Sequence, residues 1–200
     1  MATVKPLRDP IVLFQEQLAE ARGVPREQMP EPTAFALATV GDGGQPSVRM
    51  LLLKEVDDRG FVFYTNLESR KSTELSNNRR AAMNFHWSPL ERQVRIEGKV
   101  TSVSDEEADA YFATRARGSQ IGAWASRQSR PMERSGDLDA RVAEYEKKFE
   151  GREVPRPPFW SGFRLVPSSI EFWHGKANRL HDRQLYTRDG DGWRITLLYP

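Results

Sequence analysis

Short apolar runs separated by turn residues are the feature that most restricts the fold of this chain. Residues 34–40, 47–56 and 61–65 are rich in aliphatic and aromatic side chains, and Gly- and Asp-rich turns at 41–44 and 57–60 separate them. Strands joined by such short turns pair as antiparallel hairpins, since parallel strands need long crossover connections. Similar patterns predict further strands at 81–87, 92–103, 162–166, 169–174, 183–188 and 193–198, with a hairpin turn at 189–192.

Helix signals are confined to a few segments. Asp9 as a cap, Pro10 in the first turn and an apolar spacing that ends before Gly23 predict a helix over about 10–22. Ser104 and Glu107 have the spacing of a capping box that opens a helix to about residue 115. Other helices are predicted at about 69–77, after Ser119 and at about 136–150.

The order of these elements predicts the fold class. Most helices are inserted late rather than between successive strands, which favours a mainly β protein, an antiparallel barrel with added helices, over a doubly wound sheet. The 200 residues fit a single domain. We expect an N-terminal helix over about 10–22, the barrel over about 34–103 and 160–200, and a helical insertion over about 105–150.

Composition excludes several classes of function. The chain has no cysteine, so disulfides, thiolate zinc sites and cysteine nucleophiles are excluded. Thirty Lys and Arg residues against 28 Asp and Glu leave a formal charge of +2, which argues against a nucleic-acid-binding surface. The three histidines lie far apart in the sequence and predict no metal site. Because there is no long apolar segment, we expect a soluble cytoplasmic protein without a membrane partner.

Three polar segments combine cations, amides and hydroxyls with apolar strand residues. Residues 49–54 carry Arg49 and Lys54, and a predicted hairpin brings them near Arg70 and Lys71. Such a cluster of cations suits the negative charge of a phosphate monoester. The alternating strand at 90–98 aims Gln93 and Arg95 to one face. In 111–119, Tyr111 and Arg115 share a helix face, and Ser119 is expected to cap the next helix beside a second phosphate pocket. Each cation taken alone also suits a solvated surface.

A fourth segment, 172–183, favours function over surface decoration. Arg179, His181 and Arg183 follow an aromatic strand within a few residues of one another. Such groups are costly to bury without partners, so packing alone does not explain them.

Together these segments resemble the pyridoxamine 5'-phosphate oxidases. The resemblance rests on blocks at 49–54, 63–71, 92–94, 111–123, 127–129, 159–160, 171–173 and 179–183, in the order that the family has them, and it covers the chain from about Asp9 to Pro200. It implies an FMN-binding split barrel, a homodimer with FMN at the subunit interface, and oxidation of pyridoxamine and pyridoxine 5'-phosphates to pyridoxal 5'-phosphate. Dioxygen is the implied acceptor and hydrogen peroxide the product.

The resemblance also implies roles for individual residues. The implied FMN shell consists of Arg49, Met50, Leu51, Leu52, Leu53, Lys54, Tyr64, Thr65, Arg70, Lys71, Gln93, Gln128, Ser129, Trp173 and Arg183. The implied substrate site consists of Lys54, Tyr111, Arg115, Ser119, Arg179, Leu180 and His181, of which Arg179 and His181 are the implied catalytic residues that orient the pyridine ring. Family members often carry an Arg-Arg-Glu-Tyr-like segment before the first helix. Residues 1–8 contain none, so either closure of the site is weaker or that segment lies outside this sequence.

Two other functions remain open. A related flavin oxidase of the phenazine-pathway type shares the barrel and the Arg-Leu-His turn. A flavin- or haem-binding barrel without catalytic activity needs no substrate clamp around Arg115 and Ser119. Binding of single-stranded nucleic acid is the weakest alternative because the charges are balanced.

Overall fold

The structure is a computed structural model that describes residues 8–200. The segment before the first helix, where the Arg-Arg-Glu-Tyr-like motif of the family was not found, therefore lies largely outside the described residues. The described chain forms one antiparallel sheet, curled into a half-barrel, with five α-helices, which confirms the predicted fold class. The strands are β1 (Ala34–Val40), β2 (Pro46–Leu52), β3 (Glu55–Asp57), β4 (Gly60–Asn66), β5 (Arg80–Trp87), β6 (Arg92–Ser102), β7 (Trp160–His174), β8 (Asp182–Asp189) and β9 (Gly192–Leu197).

The helices are α1 (Pro10–Arg22), α2 (Arg70–Asn77), α3 (Asp105–Ala113), α4 (Arg117–Ala125) and α5 (Asp137–Lys148). The Asp9 carboxylate accepts a hydrogen bond from Ile11 N at 2.7 Å, as expected of the cap of α1. At α3 both hydrogen bonds of the capping box between Ser104 and Glu107 are present. None of the helices within residues 8–200 has the length and apolar character needed to cross a membrane.

Strand β7 connects the parts of the sheet. The strand order is β2-β1-β5-β6-β7-β4-β3, and β8 adds to the C-terminal half of β7 and carries β9. The register of β6 against β7 shifts between Glu97 and Gly98. A Cβ atom on Gly98 would lie 2.1 Å from the Val166 carbonyl oxygen, so only glycine permits this close approach.

Three predictions about elements were wrong. The predicted strand 47–56 is divided, because β2 ends at Leu52 and the chain then turns into β3. The predicted strands 162–166 and 169–174 are one continuous strand, since pairing with β6 continues past the irregularity at Gly98. Ser119 does not cap α4: the N-cap is Ala116, and Ser119 lies within the first turn.

The core of the half-barrel is aromatic. Phe14 of α1 contacts Phe61 and Phe85 with ring centroids 4.9 Å apart in both pairs, and Phe35 lies 5.3 Å from Phe85. These side chains are fully buried, and edge-on and tilted contacts of this kind add to the free energy gained by burial. This packed core therefore fixes the positions of the strands that also carry the polar residues predicted to form the site.

Candidate functional site

A cavity of about 690 Å³, here called the Arg115 cavity, lies between β2, β4, α3 and α4. Its volume is in the range of small-molecule sites. Predicted site residues on its wall are Met50, Leu51, Leu52, Lys54, Tyr64, Thr65, Tyr111, Arg115, Ser119 and Gln128. Sequence reasoning did not assign a role to the other lining residues, Asn66, Ala116, Gly122, Ala123, Ser126 and Trp160.

Arg115 is the most unusual group of this cavity. Its NH2 group donates to the Ser119 carbonyl oxygen at 3.0 Å, and its guanidinium carbon lies 4.7 Å from the ring centroid of Trp160. NH1 is buried and has no hydrogen-bond partner in the described part of the chain. Burial lowers the pKa of this guanidinium. A buried donor without an acceptor is costly, and such an arginine in a cavity is typical of an anion site.

Three aromatic rings form one side of the cavity. The rings of Tyr64 and Tyr111 stack with centroids 4.1 Å apart, and Trp160 lies 5.4 Å from Tyr64 with an interplanar angle of 4°. The Tyr64 hydroxyl donates to the Glu107 carbonyl oxygen at 3.3 Å, and burial raises the pKa of Tyr64 to about 12. The rings are therefore held parallel and in contact with one another, which fixes this side of the cavity.

Lys71 supplies a buried positive charge next to another part of the cavity wall. Its ammonium donates to Gln128 Oε1 at 2.6 Å and to Thr65 Oγ1 at 3.1 Å, and both acceptors belong to residues that line the cavity. Burial, with repulsion from Arg49, lowers the pKa of Lys71 to about 8. The amine is therefore partly neutral in mildly alkaline solution unless an anion binds beside it.

Glu74, which sequence reasoning missed, holds two of the predicted cations. Its carboxylate accepts from Arg70 Nε at 2.8 Å and from Arg49 NH2 at 3.2 Å, and also from the hydroxyls of Ser47 and Thr39. Burial alone raises the pKa of this carboxyl, but the hydrogen bonds outweigh it and the pKa is about 2. The spacing of Arg70 and Glu74 on α2 was the sequence signal that could have revealed it.

The remaining predicted residues, with two exceptions, lie together elsewhere. Gln93, Trp173 and Arg183 are register partners across β6, β7 and β8, and the turn Ala177–Arg179 brings Arg179, Leu180 and His181 beside them. We call this group the Trp173 face. The exceptions are Leu53, whose side chain is buried in the core, and Ser129, which adjoins Gln128 with a φ of 71°.

The turn of the Trp173 face has a strained backbone. Asn178 and Arg179 have φ values of 58° and 61°, a left-handed conformation that costs free energy for a residue such as arginine. The Lys176 backbone N–H donates to His181 Nδ1 at 3.2 Å, so a neutral His181 ring carries its proton on Nε2. The His181 ring lies 4.5 Å from that of Trp173. The turn thus presents an N–H donor beside an aromatic surface.

The Arg115 cavity and the Trp173 face lie at opposite ends of β7. Trp160 lines the cavity and Trp173 lies thirteen positions further along the same strand, a contour length of roughly 40 Å. Within residues 8–200, no member of the Trp173 face lines the Arg115 cavity. One chain therefore places most of the predicted site residues in two separate groups.

Comparison with known proteins gives consistent matches. A family model described as pyridoxamine 5'-phosphate oxidase matches residues 25–149, and one described as the pyridoxine 5'-phosphate oxidase C-terminal dimerisation region matches residues 160–200. Relatives named pyridoxine/pyridoxamine 5'-phosphate oxidase include one from Myxococcus xanthus, 56% identical over 96% of this chain and 92% of its own, and one from Rubrobacter xylanophilus, 57% identical over 96% and 87%.

A solved structure is also similar. The structure of PhzG from Burkholderia lata, in complex with tetrahydrophenazine-1-carboxylic acid, has a TM-score of 0.90 and 35% identity, over 98% of this chain and 95% of its own. An FMN-binding protein from Nostoc punctiforme shares the fold, with a TM-score of 0.74 at 17% identity.

Proposed function

Because the chain belongs to the pyridoxamine 5'-phosphate oxidase family, we propose that it is an FMN-dependent oxidase of vitamin B6 phosphates. It oxidises pyridoxamine 5'-phosphate and pyridoxine 5'-phosphate to pyridoxal 5'-phosphate, with dioxygen as acceptor and hydrogen peroxide as product. The observation that carries this proposal is the NH1 group of Arg115, which has no hydrogen-bond partner within residues 8–200 and lies in a cavity that Tyr111 and Ser119 also line.

Arg115, Tyr111 and Ser119 hold the substrate phosphate in this proposal. A phosphate oxygen at NH1 would supply the acceptor that this nitrogen does not find within residues 8–200, and a charge-assisted hydrogen bond is stronger than a neutral one. Trp160 supports the guanidinium from one side, so the cation is already oriented before a ligand arrives. Lys54, on the same cavity wall, adds a further positive charge.

The residues around Lys71 fit the phosphate end of FMN. Lys71, Arg49 and Arg70 provide three cations, and the side chains of Thr65, Gln128 and Ser129 provide polar partners of the kind that a phosphate or ribityl chain needs. The lowered pKa of Lys71 supports this assignment, because an anion beside the buried ammonium would remove the cost of its charge.

The Trp173 face completes the site from a second copy of the chain in this proposal. Gln93, Trp173 and Arg183 of one subunit then meet the Arg115 cavity of the other, as expected of a homodimer with two sites at its interface. The match of residues 160–200 to a dimerisation region supports this arrangement, since that segment contains Trp173 and Arg183.

Bound FMN supplies the two-electron acceptor that dioxygen reoxidises. The protein's part is to fix the substrate: the phosphate is anchored by Arg115, while Arg179 and the Nε2–H of His181 orient the pyridine ring. Neither side chain needs to transfer a proton in this scheme.

Two measurements test the proposal. The flavin released on denaturation should be FMN, and purified protein should release hydrogen peroxide from both B6 phosphates. Unphosphorylated pyridoxine is the matched control, because it lacks only the anion that Arg115 binds. Absence of peroxide from both phosphates contradicts the function.

The phenazine-type oxidase is the second candidate, favoured by the similarity to the PhzG structure. Oxidation of a reduced phenazine carboxylic acid without turnover of either B6 phosphate would support that candidate instead. A protein that binds FMN and oxidises neither substrate class would be a flavin-binding barrel without this activity.

A further inference from the structure

Glu171 is a buried carboxylate on the Trp173 face that the proposed function does not use. It lies on β7 directly opposite Arg95 of β6, and its side chain is 3% exposed. Its Oε2 accepts from Arg95 NH2 at 2.5 Å and its Oε1 accepts from Arg183 Nε at 2.7 Å. One carboxylate thus holds one arginine with each of its oxygens.

We propose that Glu171 is a positioning residue that fixes Arg183 for contact with FMN, an inference that rests on the proposed function. Two of the three nitrogens of Arg183 are already bound: Nε to Glu171, and NH1 to the Tyr199 carbonyl oxygen at 3.0 Å. Within residues 8–200, the remaining NH2 group donates to no protein atom. Because a guanidinium is planar, anchoring two nitrogens fixes the direction of the third.

Glu171 also balances the charges of the two arginines that it contacts. Glu171 lies between Arg95 and Arg183, so its negative charge offsets the repulsion between the two arginines. The hydrogen bond to Glu171 raises the pKa of Arg183. Without Glu171 the two cations would face each other, and Arg183 would lose the contact that holds its Nε.

The orientation of Arg183 depends on the buried carboxylate of Glu171 rather than on the exposed carboxylate of the cluster, that of Glu97, which pairs with Arg95. Arg95 has a second carboxylate partner, Glu97, at 3.3 Å, but that side chain is 54% exposed and contacts no other cation of the cluster. Exposed pairs of this kind contribute little. Glu97→Gln is therefore a matched control for Glu171→Gln, since both changes remove one carboxylate charge beside Arg95.

The test is a double-mutant cycle on FMN affinity, measured by quenching of flavin fluorescence when FMN is titrated with apoprotein. Glu171→Gln should raise the Kd of FMN about tenfold, the size expected when a charged donor loses its anchor. Arg183→Gln should raise it at least as much. The double variant should match Arg183→Gln alone, because Glu171 acts only through Arg183. Glu97→Gln should stay within about twofold of wild type.

A structural role predicts a different result. If Glu171 only stabilises the fold, its effect on FMN Kd persists in the Arg183→Gln background, and the two changes add. Glu171→Asp provides a second variant that keeps the charge: its shorter side chain cannot reach both arginines, so FMN binding should also weaken, and the same cycle with Arg183→Gln applies if Glu171→Gln does not fold.

The outcomes separate the two proposals. Wild-type protein that binds FMN and oxidises B6 phosphates, combined with a Glu171→Gln Kd within about twofold of wild type or with additive effects in the cycle, overturns the role of Glu171 alone. Wild-type protein that binds no FMN overturns both this inference and the proposed function.

Discussion

The Arg115 cavity and the Trp173 face carry the predicted site residues in different physical settings. Arg115 in the cavity is partly buried, Lys71 beside the cavity is buried, and each is held by neighbours in the same chain. On the Trp173 face the turn that carries Arg179, Leu180 and His181 is exposed, and its backbone is strained. The cavity is preformed for binding an anion, whereas the side chains of the Trp173 face are oriented but open to solvent.

Under the proposed function, this difference corresponds to a site divided between two copies of the chain. Anion binding needs low solvent exposure and fixed charges, which a cavity in a single chain provides. The face needs only correct orientation, because a partner surface can exclude water from it. In both regions a buried glutamate, Glu74 or Glu171, holds two arginines in place.

The largest effect should follow from removing Arg115, the cation of the cavity whose NH1 group has no hydrogen-bond partner within residues 8–200. Arg115→Ala should raise KM for pyridoxine 5'-phosphate about 100-fold, since a charge-assisted anchor is lost, while the Kd of FMN changes little. Steady-state peroxide assays and FMN titration measure the two quantities.

Arg117→Gln is the control for that change. Arg117 lies two residues further on, but its guanidinium donates to the carbonyl oxygens of Phe149 and Arg152. It should lower the melting temperature without changing KM. An equal rise in KM for both variants would mean that the effect comes from the fold rather than from the anion site.

Mixing subunits tests whether the two regions meet across an interface. Arg115→Ala and Arg183→Gln each damage one region, so a mixed dimer contains one site with both changes and one intact site. At low concentrations of substrate and FMN, where each variant alone is weakly active, random reassociation of equal amounts of the two should restore up to about one quarter of wild-type activity. If a single chain held the whole site, mixing would restore nothing.

The two regions should also differ in their response to pH. The pKa of Lys71 is lowered to about 8, so in the free protein its ammonium is lost as pH rises above that value, and FMN binding should weaken by up to about tenfold per pH unit. The slope should disappear in Lys71→Met. As the pH rises from about 8 to the ordinary lysine pKa of 10.5, Lys71 increases the free energy of unfolding of the apoprotein. Over this range the unfolded chain keeps the Lys71 proton, whereas the folded chain has lost it.

The smallest effect is expected at the turn of the Trp173 face. Lys176 forms an ion pair with Asp182 at 2.5 Å, but both side chains are about half exposed. Lys176→Ala removes this pair and keeps the backbone N–H that orients His181. KM should change by about threefold or less. A larger change would show that the ion pair, rather than the backbone contact, holds the turn.

Sequence patterns predicted most elements because their signals are local. The antiparallel hairpins, the cap at Asp9 and the capping box at Ser104 each depend on residues a few positions apart, and the structure contains all of them. The error at Ser119 has the same origin. A serine after glycine favours a cap, but α4 had already begun at Arg117.

The site was predicted less completely, since the resemblance lists residues without their partners. Glu74 and Glu171 were assigned no role because each also binds an arginine that is remote in the sequence: Arg49 is 25 positions from Glu74, and Arg95 is 76 positions from Glu171. Trp160 likewise gains its role only where the Arg115 guanidinium lies against its ring. The roles of the individual site residues stay predictions.

The sequence by itself determined the fold class, the position of most strands and helices, and the types of side chain available for binding anions. Those properties follow from local periodicity, turn residues and composition. Only the tertiary structure decided that the predicted residues divide between the Arg115 cavity and the Trp173 face, and which cations are buried or anchored. Burial and ion pairing depend on distances between residues remote in the chain, and the path of β7 sets those distances here.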